Sequence, residues 1–196
     1  GTSTPLQCLA AHKGALGDLS FSRQDPSVLA SVGDDGMLCV WDVRAGSAAQ
    51  LSVAVSQDDV LSVDWSFHWE QTVATAGKDR EVRVWDLRSP AAARHSLRGH
   101  KGDAVTVRWA PFREALLASS SSDSRLHIWD LSPQQADKAQ QLEQQPDGEV
   151  EAPELLFAHG GHEAGVSSLA WSDVDDFLMC SVAEDNSLQI WQPSTV

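Results

Sequence analysis

Four kinds of chemically capable side chain recur along this sequence at fixed distances from a tryptophan. Six residues before Trp41, Trp85, Trp129 and Trp191 stand Asp35, Asp79, Asp123 and Asp185, and ten before stand Ser31, Thr75, Ser119 and Ser181. Twenty-nine before stand His12, Ser56, His100 and His162. An Asp, a His and a Ser that meet in space can form a hydrolytic triad, in which the carboxylate orients an imidazole that accepts the serine proton. Here the set is complete three times over at one spacing, each hydroxyl falls in a candidate strand, and no Gly-x-Ser-x-Gly turn raises a serine above its surroundings. The repetition points instead to a structural network, because a carboxylate buried in a tight turn needs donors that imidazole, hydroxyl and backbone N–H groups supply. Ser56 stands where the second imidazole would be, which predicts a looser second unit. His159 and His162, in His159-Gly160-Gly161-His162, resemble metal ligands, yet no Cys-x-x-Cys and no third ligand at readable spacing accompanies them. His162 is read as structural and the glycines as turn residues, with no catalytic residue, metal or cofactor expected.

The elements that must hold these residues are short strands. Twenty residues before each Trp lies a further aromatic, Phe21, Trp65, Trp109 or Trp171. Around these columns the chain alternates with period two, as in Val105-Thr106-Val107-Arg108-Trp109 and Val82-Arg83-Val84-Trp85. Clusters such as Gly33-Asp34-Asp35-Gly36 supply turns. The tryptophans step by 44, 44 and 62 residues, so each repeat is a small meander and the last step carries 18 extra residues.

Composition narrows the function classes. With 28 acidic against 14 basic side chains the formal net charge is -14, which disfavours binding to bare nucleic acid or an anionic membrane and makes a basic partner the natural complement. No apolar run of about 18 residues occurs, and Gly1-Thr2-Ser3-Thr4-Pro5 lacks the features of a signal peptide. Cys8, Cys39 and Cys180 are odd in number and far apart, and are read as small buried hydrophobes of a reducing compartment. A soluble, intracellular protein is expected.

Strand-only units of about 44 residues ending in Trp-Asp resemble the WD40 repeat, whose blades are four-stranded sheets around a central channel. The resemblance implies an all-β fold, a WD40 β-propeller with repeat one at 6–44, repeat two at 45–88, repeat three at 89–132, an acidic insertion at 133–154 and repeat four at 155–192. In that family the His, Ser or Thr, Asp and Trp are hydrogen-bonded inside each blade. Four repeats are a partial propeller of seven blades or half of an eight-bladed dimer, with a second chain or copy needed to cover the open edges. Leu6-Gln7-Cys8-Leu9 is a candidate outer strand without an upstream partner.

Within the insertion, Ser132-Pro133 followed by residues 134–143 reads as an N-cap, a first-turn proline and a short polar helix stopped by Pro146. Asp147, Glu149, Glu151 and Glu154 follow with no base among them. This loop, the run from Pro153-Glu154-Leu155-Leu156-Phe157 to His162, and Cys180 to Asn186 resemble the retinoblastoma-binding, MSI-like histone-binding WD40 proteins, subunits shared among chromatin assembly and modifying complexes. The resemblance implies a nuclear scaffold, with the cytoplasm as a second location. Asp147, Glu149, Glu151 and Glu154 would supply charge, and Leu155 and Phe157 would anchor one wall of a groove for a basic amphipathic histone helix. The family's other wall is a long N-terminal helix without a counterpart here. A second family site is the top of the channel, onto which Asp34, Asp59, Asp103 and Glu184 map, with Lys78 interrupting the acidic ring. Three alternatives stand beside this reading. Trp41-Asp42-Val43-Arg44 and Trp85-Asp86-Leu87-Arg88 suggest a cullin-RING ubiquitin ligase receptor, Asp64-Trp65 and Ala110-Pro111-Phe112 a peroxisomal import receptor, and the acidic insertion a ribosome-assembly WD40 protein.

Overall fold

The computed structural model describes residues 7–133 and 152–193. Through them run four sheets. The first holds β1 (Leu16–Phe21), β2 (Val28–Gly33), β3 (Met37–Asp42) and β4 (Leu51–Ala54). The second holds β5 (Val60–Trp65), β6 (Thr72–Gly77), β7 (Glu81–Asp86) and β8 (His95–Arg98). The third holds β9 (Ala104–Trp109), β10 (Leu116–Ser121), β11 (Leu126–Asp130) and β12 (Leu155–His159). The fourth has only β13 (Val166–Trp171), β14 (Met179–Ala183) and β15 (Leu188–Trp191). Neighbours in sequence pair antiparallel throughout, as tight turns between period-two segments require. The insertion leaves the third sheet intact, because β12 pairs with β11 on its far side.

The corner between the second and third strands of each sheet is built alike. It places Gly36, Arg80, Ser124 and Asn186 in the left-handed region, at φ of 69°, 68°, 66° and 63°. Glycine adopts this freely, whereas other L-residues resist it by about 1–2 kcal/mol each. The preceding aspartate holds the corner: Asp35, Asp79, Asp123 and Asp185 accept from the N–H groups of Met37, Glu81, Arg125 and Ser187 at 3.2, 3.2, 3.0 and 2.8 Å. These are Asx turns, and they explain why Asp recurs where the residue after it varies.

The sheets stack face to face in chain order, with β1, β5, β9 and β13 as successive inner neighbours. Ala30, Val32 and Leu38 of the first sheet bury against Val63, Trp65 and Trp85 of the second. Ala74, Val82 and Val84 of the second bury against Val107, Trp109 and Trp129 of the third, and Leu126 and Ile128 of the third against Leu169 and Met179 of the fourth. The result is a fan of four blades, an arc of a propeller that does not close. Leu19 and Phe21 on β1 are 58% and 50% exposed although their counterparts Val63 and Trp65 are fully buried. Leu188 and Ile190 on β15 are 62% and 69% exposed although Leu126 and Ile128 are fully buried.

The cysteines differ from expectation. Cys39 is buried on β3, but Cys8 is exposed, because residues 7–10 join no sheet among the described residues, and Cys180 is half-buried on the open face of the fourth blade. The helix expected over 134–143, and Asp147, Glu149 and Glu151, lie outside the described residues.

Candidate functional site

The recurring polar residues meet within single blades. In the first, His12 Nδ1 lies 2.9 Å from Asp35 Oδ1 and His12 Nε2 2.8 Å from Ser31 Oγ, which also accepts from Trp41 Nε1 at 2.8 Å. In the third, His100 Nδ1 is 3.3 Å from Asp123, His100 Nε2 is 2.7 Å from Ser119 Oγ, and Trp129 Nε1 donates to Ser119 Oγ at 2.8 Å. The fourth repeats this with His162, Asp185, Ser181 and Trp191 at 3.2, 2.7 and 3.1 Å. The tautomer follows from the inventory of donors: the indole donates to the hydroxyl, the hydroxyl donates to Nε2, and Nδ1–H donates to the carboxylate. The serine proton is committed to a buried imidazole and its oxygen to an indole, which leaves no free nucleophile. Burial opposes ionisation of Asp123, but the His100 and Lys101 N–H donors outweigh it and hold the carboxyl well below the usual carboxylate range.

The second blade, without an imidazole, is satisfied differently. Asp79 accepts from Ser56 Oγ at 2.7 Å and from Arg83 on β7, and Trp85 Nε1 still donates to Thr75 Oγ1 at 3.0 Å. Arg83 is the residue that sequence reasoning missed. Its signal was a cation four residues after the turn Asp, on the same edge.

The acids assigned to the top of the channel form a regular row. The residue before each turn Asp donates its N–H to a carbonyl at the start of the inner strand: Asp34 to Ala15 at 2.9 Å, Lys78 to Asp59 at 3.0 Å, Ser122 to Asp103 at 3.0 Å and Glu184 to Gly165 at 2.9 Å. Each of these four rungs carries one carboxylate, Asp34, Asp59, Asp103 or Glu184. The blades thus present one acid apiece along a single edge of the fan. Lys78 Nζ reaches Asp59 at 2.6 Å, and Asp59, Asp34 and Asp103 together push its pKa up.

The other candidates separate. Leu155 packs into the core between the second and third blades, and Phe157 stacks on Trp191 at 5.9 Å, while the Glu154 carbonyl accepts from Asp130 N at 2.8 Å. Both apolar residues therefore secure β12. His159 stacks on Trp191 at 4.2 Å with Nε2 3.0 Å from Gln189, and no group of three metal-ligating side chains occurs among the described residues. The arginines of the two Trp-Asp-x-Arg segments fold back on their own turns: Arg44 Nη2 to Asp42 at 2.9 Å and Asp25 at 2.7 Å, Arg88 Nη2 to Asp86 at 2.7 Å. Asp64 is buried on β5, accepting from Trp109 N at 2.8 Å and Ser20 Oγ at 3.2 Å. Burial pushes its carboxyl up against those bonds and the nearby Arg108 and Arg23. Asp64 thus ties neighbouring blades together. Among the described residues no helix is long and apolar enough to cross a membrane.

The WD domain, G-beta repeat, family profile matches residues 3–42, 50–86, 92–130 and 153–192. The chain belongs to the WD40 repeat family, whose members are in general non-catalytic scaffolds for protein–protein contact, and its four blades are a partial β-propeller. Among its relatives, a 53-residue stretch, 27% of this chain, is 55% identical to the WD-40 repeat-containing protein MSI3 of Arabidopsis thaliana. That stretch covers 12% of the relative's length, and it supports an MSI-like relation.

Proposed function

We propose that this chain is a non-catalytic scaffold that binds a basic protein segment, a histone, and links it to chromatin assembly or modifying complexes in the nucleus. The observation that carries the reading is the row of Asp34, Asp59, Asp103 and Glu184, one carboxylate per blade at equivalent hydrogen-bonded rungs, on a protein of net charge -14. A lysine- or arginine-rich segment laid along that edge meets these four acids, of which Asp59 is paired with Lys78. Asp147, Glu149, Glu151 and Glu154 add negative charge beside the third blade in sequence. Complementary charge of this kind sets encounter rate and partner choice. The engagement of every repeated Ser and His in blade-internal hydrogen bonds supports a non-catalytic role. The MSI-like relation supports the choice of histones among basic partners.

The test is titration of labelled core histones with the protein across a salt series. Affinity should fall steeply from about 50 mM to about 300 mM salt, since exposed charges are screened over roughly 10 Å at 0.1 M. Asp34→Lys with Asp103→Lys, whose carboxylates accept no hydrogen bond among the described residues, should weaken binding by about tenfold or more, the effect of about 1.4 kcal/mol. Glu149→Lys with Glu151→Lys reports separately on the insertion. Histone affinity that neither double variant lowers overturns the reading.

A further inference from the structure

We propose that Lys78 fills, from within the chain, the place on the acidic edge that a lysine or arginine of the partner takes, so that the basic segment binds by displacing it. The inference rests on the reading of Asp34, Asp59, Asp103 and Glu184 as the binding edge and adds how that edge is held in check. Lys78 Nζ lies 2.6 Å from Asp59 Oδ2, and the backbones of the same two residues are joined by a hydrogen bond of 3.0 Å. Asp34 stands on the blade before and Asp103 on the blade after. Their charges act on the same ammonium, adding to the rise in its pKa that the hydrogen bond to Asp59 begins. One ammonium thus sits among three carboxylates drawn from three successive blades, and the set stays negative with Lys78 in place.

The rest of the fold gives Lys78 no structural task. In the sister rungs its position is held by Asp34, Ser122 and Glu184, and each of those rungs closes without a cation. The corner that Lys78 precedes is secured by other groups, because Asp79 accepts from Ser56 Oγ at 2.7 Å, from Glu81 N at 3.2 Å and from Arg83. The side chains of Lys78 and Asp59 are 50% and 30% exposed, so water can take the place of either partner. An exposed pair of this kind contributes little to stability, and it opens easily.

The pair sets a threshold for binding. A partner's ammonium or guanidinium that reaches Asp59 must first turn out Lys78, and until then Lys78 repels other cations at the edge over roughly 10 Å at 0.1 M salt. Guanidinium is the better competitor, since its planar fork spans two carboxylate oxygens whereas Lys78 offers a point charge. A single isolated cation exchanges one charge for another and gains little. A segment with several cations also engages Asp34 and Asp103, and the edge therefore favours clustered basic residues over isolated ones.

The probe is a labelled, end-capped oligoarginine peptide titrated with the whole chain. Lys78→Met should tighten its binding by about three- to fivefold, the effect of one exposed charge pair, and Lys78→Arg, which keeps the charge, should not tighten it. Asp59→Asn added to Lys78→Met should cancel the gain. Lys101→Met removes an exposed cation from the edge of the next blade and should change affinity by less than about twofold. Displacement is read directly by acetylating the lysines with an N-hydroxysuccinimide ester and following each by mass spectrometry. The peptide carries no amine, and Lys78 should react faster with the peptide bound than without it, because only the unpaired, deprotonated amine attacks the ester. No gain in Lys78→Met, an equal gain in Lys101→Met, a gain that survives Asp59→Asn, or slower acetylation of Lys78 in the complex would overturn the proposal. If one of these is seen while Asp34→Lys with Asp103→Lys still weakens histone binding, the edge stands and displacement falls; if that double variant binds as wild type does, the edge itself falls and displacement with it.

Discussion

Replacing Asp123 by Ala takes the acceptor from three donors, and the structure ranks what each loss costs. Lys101 N at 2.6 Å and Arg125 N at 3.0 Å lie at an exposed turn and can take water instead. His100 cannot: its side chain is 1% exposed and its Nε2 is tied to Ser119 at 2.7 Å, so the ring has no second orientation. A buried N–H left without an acceptor costs about 1–3 kcal/mol. The Asx bond that holds Ser124 at positive φ also goes, adding about 1 kcal/mol. The total is about 2–4 kcal/mol, or a fall of roughly 5–15 °C in Tm for a chain of this size. Asp79→Ala should cost less, about 1–2 kcal/mol, because Arg83 keeps Glu81 at 2.8 Å and the Ser56 hydroxyl can turn to water. The exposed Asp58→Ala should stay within about 0.5 kcal/mol. Thermal and urea unfolding followed by circular dichroism measure all three. Equal melting of the Asp123 and Asp58 variants, or a larger loss at Asp79 than at Asp123, refutes the reasoning.

His127 should make the protein acid-sensitive. It is buried, stacked on the His100 ring at 4.0 Å, and burial pushes its pKa down to about 3. The unfolded chain binds this proton near pH ~6.5 and the folded chain resists it, so stability present above that pH is lost as pH falls toward 3. His127→Phe should therefore lose less stability than wild type between about pH 7 and about pH 4.5, read as the shift in urea midpoint, and equal losses contradict the assignment. The inner-strand tryptophans should differ in the worth of their N–H groups. Trp109 Nε1 donates to the Asp64 carbonyl at 3.2 Å, whereas Trp65 Nε1 finds no acceptor among the described residues. Trp109→Phe should thus cost about 1 kcal/mol more than Trp65→Phe in chemical denaturation, the net worth of one buried hydrogen bond; the reverse order rules this out.

Periodicity alone determined the repeating unit, because the Asp, hydroxyl and Trp columns answer to local geometry. An Asx corner fixes Asp six residues before Trp, and the pairing of adjacent strands brings the hydroxyl beneath the indole in every copy. The row of four acids was legible only in outline. Asp34 and Glu184 sit in one column and Asp59 and Asp103 in another, and only the rungs between strands show that the two columns are hydrogen-bonded neighbours. Tertiary structure also decided Arg83, whose substitution for an imidazole depends on reaching across a turn, and Asp64, whose partners Ser20 and Trp109 are 44 and 45 residues away on other blades. Exposure of Leu19, Phe21, Leu188 and Ile190 was likewise invisible in the pattern, since each occupies a column that is buried in its sister repeats. Burial of a blade's face belongs to the neighbour that covers it. A repeat sequence therefore encodes which faces seek cover, and the arc of packed blades decides which of them find it.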